Sequence, residues 1–336
     1  MSMHKRRHWP YLVLAACLYG FFCHFTSPVP AHLYAASEPA NPVVFSDPVT
    51  DTSRVEAYWT PRRMASALSA DIPANEKQVA IPRTLHQASK RSLPSSVRSL
   101  PVPDPKADPK ADPVHPPYSQ EGKIFFSDGG RDWVCSGTAL VSDNHSLVDT
   151  AGHCVADDRH FVSNWIFCPM YDGNGCHYYI AKLLATDKLW LDHSDHPDGW
   201  FGYDFGMAVV VPTLKNKKLT DSFGGMLALT NLDPAHQTYL AVGYPAAPPF
   251  NGQTQQKCES QVTRNDDQGG DVNALGIQCD MTGGSSGGGW FIVLSGQLYL
   301  NGHTSYGYRD DPTILYSPYF GQIWENLFQA AQNISI

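Results

Sequence analysis

The chain has 336 residues, 42% of them hydrophobic and 17% charged, so it can bury a hydrophobic core in one large domain or two small ones. The formal net charge is −8, and residues 118–336 carry 11 basic against 23 acidic residues, a net charge of −12. This acidic balance argues against nucleic acid as a partner, because phosphates require a basic footprint.

Residues 1–36 have the pattern of a secretory signal peptide. His4–His8 form a basic start, Tyr11–Phe25 form an apolar run of 15 residues, and Ala35 and Ala36 offer a cleavage position. A run of that length falls short of the ~20 residues that span a bilayer, so we expect no stable membrane insertion. Leu14–Cys17 resembles a bacterial lipobox, which leaves lipid or signal anchoring at the cell surface as the alternative to secretion.

Residues 37–117 have the composition of a pro-region followed by a proline-rich linker. Pro105–Pro113 is a short tandem repeat, and the whole segment is predicted to be extended and disordered. One island, Ala57–Ala70, predicts a short helix with Thr60 as its N-cap and Pro61 at its first position. Two interpretations stay open for this helix, docking on a folded domain or transient formation in a tail.

From residue 118 the pattern changes to short apolar runs that alternate with Gly, Asn, Asp and Pro. Such regular runs are typical of an all-β sandwich or barrel. The exception is Tyr319–Gln332, whose apolar residues recur at helical spacing. The predicted strands are Gly122–Phe126, Trp133–Val141, Phe161–Phe167, Tyr178–Ala185, Phe205–Val211, Tyr239–Tyr244, Trp290–Leu294 and Leu298–Gly302.

Six cysteines follow the signal peptide, an even number for an oxidising compartment. Fifteen connectivities are possible, and the residues alone do not choose among them. No C-x-x-C pair occurs, so a metal site is weakly supported, and we predict neither a metal nor a cofactor. In chain order the cysteines form the neighbours Cys135 and Cys154, Cys168 and Cys176, and Cys258 and Cys279.

The glycine-rich stretch Cys279–Trp290 is a candidate for the loop that carries a reactive serine. Apolar runs bracket it, which argues against a flexible spacer, and no Gly-Lys-Ser/Thr follows, which argues against a phosphate loop. A hydrolytic serine requires a base and a third group that orients the base. His153 follows a strand-like run, and Asp204 directly precedes another. The candidate groups therefore occur in the order His, Asp, Ser.

Three blocks in this order, CSGTAL…TAGHC, YDFGMAVV and GGSSGGGW, resemble those of chymotrypsin-fold (trypsin-like) serine peptidases. The chain looks closest to the secreted bacterial branch that includes glutamyl endopeptidases. The resemblance covers residues 118–336 and implies two six-stranded β-barrels and a C-terminal helix. It also implies a catalytic triad of His153, Asp204 and Ser286, since the G-x-S-G-G of the family matches Gly284–Gly288.

The same resemblance implies an oxyanion hole formed by the N–H groups of Gly284 and Ser286. It also favours disulfides between sequential neighbours, with the first pair clamping the histidine loop. Ser285 stands where animal members place an aspartate that pairs with a freed N-terminus. Any restraint by residues 37–117 would therefore act by occlusion or slow folding.

Substrate specificity is open at this stage. Asp280 falls where the family places the floor of the pocket, and a carboxylate there favours Arg or Lys before the scissile bond. Thr282 and His303 instead resemble groups that receive an acidic side chain in glutamyl endopeptidases. A third interpretation is that Asp280 only caps a turn after Cys279. The residues that we expect to contact substrate are Asp280, Thr282, Ser305, Tyr306 and Gly307.

These observations predict a secreted serine endopeptidase, a monomer that acts on proteins or peptides through an acyl-enzyme intermediate. The alternative is a catalytically silent homologue that uses the same cleft for binding. A lipase or esterase is more remote, because its G-x-S-x-G elbow requires the order Ser, Asp, His.

Overall fold

The protein is described by a computed structural model that covers residues 42–70, 73–74, 100–101, 115–194, 200–213, 217–235, 237–266 and 274–336. The predicted signal peptide, residues 1–36, lies outside the described residues. None of the described helices is long and apolar enough to cross a membrane.

The described residues before Tyr118 form two short helices and several two- or three-residue strands. As predicted, α2 begins with Pro61 at its first position, and the Thr60 hydroxyl accepts a hydrogen bond from the Arg63 N–H at 3.3 Å. The elements are β1 (Val43–Phe45), α1 (Thr52–Tyr58), α2 (Pro61–Ser66), β2 (Leu68–Ser69), β3 (Pro73–Ala74) and β4 (Leu100–Pro101).

Residues 42–70 are folded onto the rest of the protein, and they depart here from the predicted disorder. Val55, Trp59 and Met64 are buried, and the Trp59 indole N–H donates to the Asn164 carbonyl at 2.5 Å. The burial of these apolar side chains stabilises a segment whose helices are too short to persist alone. The docking interpretation of the helical island is therefore the one that the structure adopts.

The first barrel consists of six antiparallel strands in the closed order β5-β6-β7-β12-β11-β10. Closure leaves no free sheet edge among these strands, and β1 extends one end of β11. The elements are β5 (Glu121–Asp128), β6 (Arg131–Leu140), β7 (Leu147–Ala151), β8 (Ala156–Asp157), β9 (His160–Phe161), β10 (Ser163–Pro169), β11 (Tyr179–Asp187), α3 (Lys188–His193) and β12 (Phe205–Pro212).

The second barrel curls along the path β17-β16-β13-β14-β15-β19, with β18 added on β19. Its two end strands meet where the His303 N–H donates to the Ser317 hydroxyl at 3.0 Å. The elements are α4 (Leu219–Phe223), β13 (Thr238–Gly243), β14 (Gln256–Asp266), β15 (Ala274–Gln278), β16 (Gly289–Leu294), β17 (Gln297–His303), β18 (Tyr306–Tyr308), β19 (Asp311–Pro318) and α5 (Gln322–Ala331).

One hydrophobic cluster joins the two barrels and the C-terminal helix. It contains Phe205 from β12, Phe291 from β16 and Trp324 from α5, each almost fully buried. Both barrels and α5 therefore share a core, and the loops that carry the candidate catalytic residues meet beside it. The predicted all-β double-barrel fold with a C-terminal helix is confirmed.

Candidate active site

His153 and Asp204 are brought together by two paired strands. His153 lies in the 3₁₀ turn Gly152–Cys154 that directly follows β7, and Asp204 directly precedes β12. These strands are antiparallel neighbours, with Phe205 opposite Ala151. The His153 Nδ1 lies 2.9 Å from Asp204 Oδ2, and the backbone N–H of His153 donates to Oδ1 at 2.8 Å. One carboxylate thus orients both the ring and the backbone of the histidine.

The environment of Asp204 keeps its carboxylate ionised. Burial by itself would raise the pKa of this fully buried group, but the nearby charge of His153 and the hydrogen bonds from His153 and Ser305 outweigh it, so the pKa lies below its ordinary value. The Ser305 hydroxyl donates to Asp204 Oδ2. A buried anion with these donors can stabilise an imidazolium at His153.

The serine loop requires glycine at two positions. Gly284 has a φ of +97°, and a Cβ there would lie 2.9 Å from the Tyr244 carbonyl oxygen. Gly287 has a φ of +79°, and its Cβ would lie 2.1 Å from the Thr150 hydroxyl on β7. Only glycine combines this backbone conformation with such close approach. The sharp turn therefore brings Ser286 against the histidine side of the molecule.

Ser136 on β6 joins the serine loop to the first barrel. Its N–H donates to the Ser286 carbonyl and its hydroxyl donates to the Gly284 carbonyl, each at 2.8 Å. The Ser286 carbonyl also lies 3.7 Å from the sulfur of Cys154, the residue next to His153. Among the hydrogen bonds of the described residues, none uses the N–H of Gly284 or Ser286 as donor. Both N–H groups can therefore serve an oxyanion.

The three predicted disulfides are present. The first closes the histidine loop from β6 and has a Cα–Cα distance of 6.2 Å. Its two sulfurs lie near His153, but sulfurs joined in a disulfide are not thiolate ligands, so this group does not resemble a zinc site. The pairs are Cys135–Cys154, Cys168–Cys176 and Cys258–Cys279.

A cleft of about 310 Å³ lies beside Ser286 on the second barrel. Thr282 and the predicted wall residues Ser305, Tyr306 and Gly307 line it. Asp280 is half-buried and is not among the residues that line this cleft. Arg309 lines the cleft instead.

Comparison with known proteins gives solved structures only, since no protein-family profile and no curated protein matches the chain. Protease Anisep from Arthrobacter nicotinovorans is 36% identical with a TM-score of 0.57, over 64% of this chain and 96% of its own. The thermostable serine protease AL20 from an extremophilic microorganism is 36% identical with a TM-score of 0.58, over 65% of this chain and 98% of its own.

The chain belongs to the chymotrypsin-fold serine proteases. It is accordingly a hydrolase of the serine endopeptidase class. A Glu endopeptidase in complex with MPD shares the fold, with 18% identity and a TM-score of 0.53, over 72% of this chain and 99% of its own.

His303 of this serine protease lies behind Asp204 and not in the cleft, contrary to the acidic-pocket interpretation. It is fully buried, its Nδ1 lies 2.9 Å from Asp149 Oδ2, and its Nε2 donates to the Asp204 carbonyl at 3.0 Å. His303 is the last residue of β17, and the next residue, Thr304, is the one that lines the cleft. The indole N–H of Trp324 on α5 donates to the other oxygen of Asp149 at 2.7 Å.

The active-site cleft also contains part of the N-terminal segment; the sequence left occlusion open but did not indicate which residues would enter the cleft. The Ser286 hydroxyl donates to the Ala70 carbonyl at 3.4 Å, and the Ala70 N–H donates to the Val134 carbonyl at 3.0 Å. Strand β2 pairs with β6, and β3 pairs with β18; both pairings are parallel. We call residues 68–70 and 73–74 the strap.

Proposed function

We propose that the protein is a secreted serine endopeptidase that cleaves peptide bonds through a His153–Asp204–Ser286 triad. The observation that carries the proposal is the buried Asp204, which binds both the ring and the backbone of His153. The glycine-rich turn holds Ser286 against the same disulfide-closed loop.

The chemistry follows from this arrangement. Asp204 accepts the Nδ1–H of His153, which leaves Nε2 to take the proton of Ser286 as its oxygen attacks the substrate carbonyl. The N–H groups of Gly284 and Ser286 stabilise the oxyanion, each contributing on the order of 3 kcal/mol. His153 then protonates the leaving amine, and water releases the acyl group from Ser286 by the same route.

We also propose that the enzyme is secreted as a precursor. Three disulfides support an oxidising compartment. The two proteases that are 36% identical align with 64% and 65% of the chain, which is close to the share made up by residues 118–336. This agreement supports residues 118–336 as the peptidase domain, and we further propose residues 1–36 as a signal peptide and 37–117 as a pro-region. The substrates are proteins or peptides, and the enzyme acts as a monomer.

The cleft supports a preference against basic side chains. Among its described lining residues Arg309 alone carries a charged side chain, and it would repel Lys or Arg. Thr282, Thr304 and the aromatic Tyr306 are further residues of the wall. We therefore propose acidic or uncharged side chains before the scissile bond, in place of the basic specificity that Asp280 suggested.

Labelling with a fluorophosphonate tests the proposed nucleophile. The exported, processed protein should be labelled, and Ser286→Ala should abolish the label. Ser285→Ala is the matched control, because the Ser285 hydroxyl is already used in a bond to the Thr282 carbonyl at 2.8 Å. Loss of label in Ser285→Ala with retention in Ser286→Ala would assign the other serine. No label in wild type would favour the silent homologue.

A further inference from the structure

We propose that the substrate cleft has a second binding mode, in which an extended peptide runs in the direction opposite to a substrate and blocks Ser286 without being cut. The occupant is the strap of this same chain. The inference rests on the proposed triad, and it adds a non-substrate partner for the cleft and a means of keeping the precursor inactive.

The direction of a substrate follows from the chemistry. The carbonyl carbon must face the Ser286 hydroxyl while the departing amine receives a proton from His153. The half of the substrate that ends in that carbonyl, its N-terminal half, therefore lies in the cleft on the second barrel, along β18. The half that begins with the amine, its C-terminal half, lies towards the first barrel.

At both of its ends the strap runs in the direction opposite to that of a substrate. Its N-terminal part, β2, lies on the first barrel, with Leu68 opposite Trp133 on β6. Its C-terminal part, β3, lies on the second barrel, with Ala74 opposite Tyr308 on β18. Two pairings on two different barrels thus agree that the segment runs through the cleft in reverse.

The contact at the nucleophile explains why such a segment is not cut. The Ser286 hydroxyl meets the oxygen of the Ala70 carbonyl at 3.4 Å as a hydrogen-bond donor. The strap has β2 on the first barrel and the later β3 on the second, so the part that follows Ala70 in the chain lies on the side where a substrate has its N-terminal half. The general acid therefore cannot protonate the nitrogen that follows Ala70 as a leaving group. Ala70 itself is only 8% exposed, so it also excludes solvent from the site.

The strap is held in place by the helices before it. The Arg63 guanidinium lies 2.9 Å from an Asp132 oxygen, and the Tyr58 hydroxyl donates to the other oxygen at 2.6 Å. Trp59 is buried against Phe125, with ring centroids 5.6 Å apart. Docking of α1 and α2 keeps the strap at high local concentration over the cleft, as a linker does for a second binding module.

Engineered cysteine pairs in the full-length chain test the direction. Ala74→Cys with Tyr308→Cys should cross-link under mild oxidation, because these residues are opposite each other. The matched pair Leu68→Cys with Tyr308→Cys should not. Cross-linking of the second pair, or of neither pair, would overturn the reversed mode.

Inhibition in trans tests the consequence. A synthetic peptide of residues 52–74 should raise the KM of the processed enzyme at least about tenfold without changing kcat, and it should be recovered intact. The same residues in reversed order serve as control. Cleavage of the peptide after Ala70, or no inhibition, would overturn the proposal. Failure of the triad would appear separately, as a processed enzyme that takes no fluorophosphonate whatever its cross-linking pattern.

Discussion

Trp59 offers a direct way to release the strap without altering the catalytic residues. Its side chain is 5% exposed and packs against Phe125, and its indole N–H donates to the Asn164 carbonyl at 2.5 Å. Trp59→Ala removes this packing and leaves the carbonyl without that donor. Truncation of a buried tryptophan typically costs about 3–5 kcal/mol.

That cost converts into a change in the population of the open precursor. A tenfold shift corresponds to about 1.4 kcal/mol, so 3–5 kcal/mol shifts the equilibrium towards the open state by roughly two to three and a half powers of ten. The activity of uncut Trp59→Ala should rise by up to that factor, with the rate of the processed enzyme as its ceiling.

The assay is the initial rate of the uncut chain on a small chromogenic peptide, with Ser286→Ala as the blank. Arg62→Ala is the matched control, because Arg62 is an exposed residue of α2, three positions after Trp59. Trp59→Phe should give an intermediate rate, since it keeps an apolar ring but loses the donor. The reasoning would be refuted if folded, uncut Trp59→Ala had the same initial rate as the uncut wild-type chain, or a rate no higher than that of Arg62→Ala.

Three further predictions address the buried charges and the cleft. Burial raises the pKa of Glu121 well above its ordinary value, and hydrogen bonds from neighbouring groups oppose this only in part. The contribution of protonated Glu121 to the stability of the fold is therefore greatest below the pKa that Glu121 has in the unfolded chain. This contribution is lost as the pH rises towards the pKa that Glu121 has in the folded protein. The melting temperature of Glu121→Gln should therefore rise relative to that of wild type as the pH increases above the ordinary glutamate pKa, and a pH-independent difference between the two melting temperatures would contradict this. Arg309→Glu should shift the substrate preference from acidic towards basic side chains before the scissile bond, by about tenfold in kcat/KM, as expected for an exposed charge. If matched peptides with acidic and basic side chains give the same kcat/KM ratio in variant and wild type, Arg309 does not determine specificity. Asp149→Asn should lower kcat roughly tenfold with KM unchanged, because the Asp149–His303 pair anchors the Asp204 carbonyl. The check is His303→Gln, which should lower kcat by the same factor while circular dichroism shows an intact fold.

The strands with regular apolar alternation were predictable from the sequence, and so was α5. The segment Gln256–Asp266 was not, although it forms the eleven-residue strand β14. Half of this strand is exposed and polar, so it has little hydrophobic pattern of its own. Its conformation depends on hydrogen bonds to β13 and β15, which are partners that only the fold supplies.

The residues of the specificity pocket are harder to predict from the sequence than those of the triad, for a similar reason. Counting residues back from Ser286 placed Asp280 at the floor, and counting along β17 placed His303 near the wall. A shift of one residue along a strand reverses the direction of a side chain. His303 therefore became a buried support of Asp204, and Arg309, without any motif around it, became part of the cleft.

The sequence by itself determined which residues are candidates for the chemistry, because the blocks around His153, Asp204 and Ser286 are local patterns of strand ends and glycine-dependent turns. It also determined which cysteines are neighbours in chain order. Tertiary structure alone decided that Ala70 meets Ser286, since these residues are 216 positions apart and no local pattern links them. Their contact arises because buried side chains of α1 and α2 fix the segment on the first barrel, and parallel pairing then directs it across the cleft.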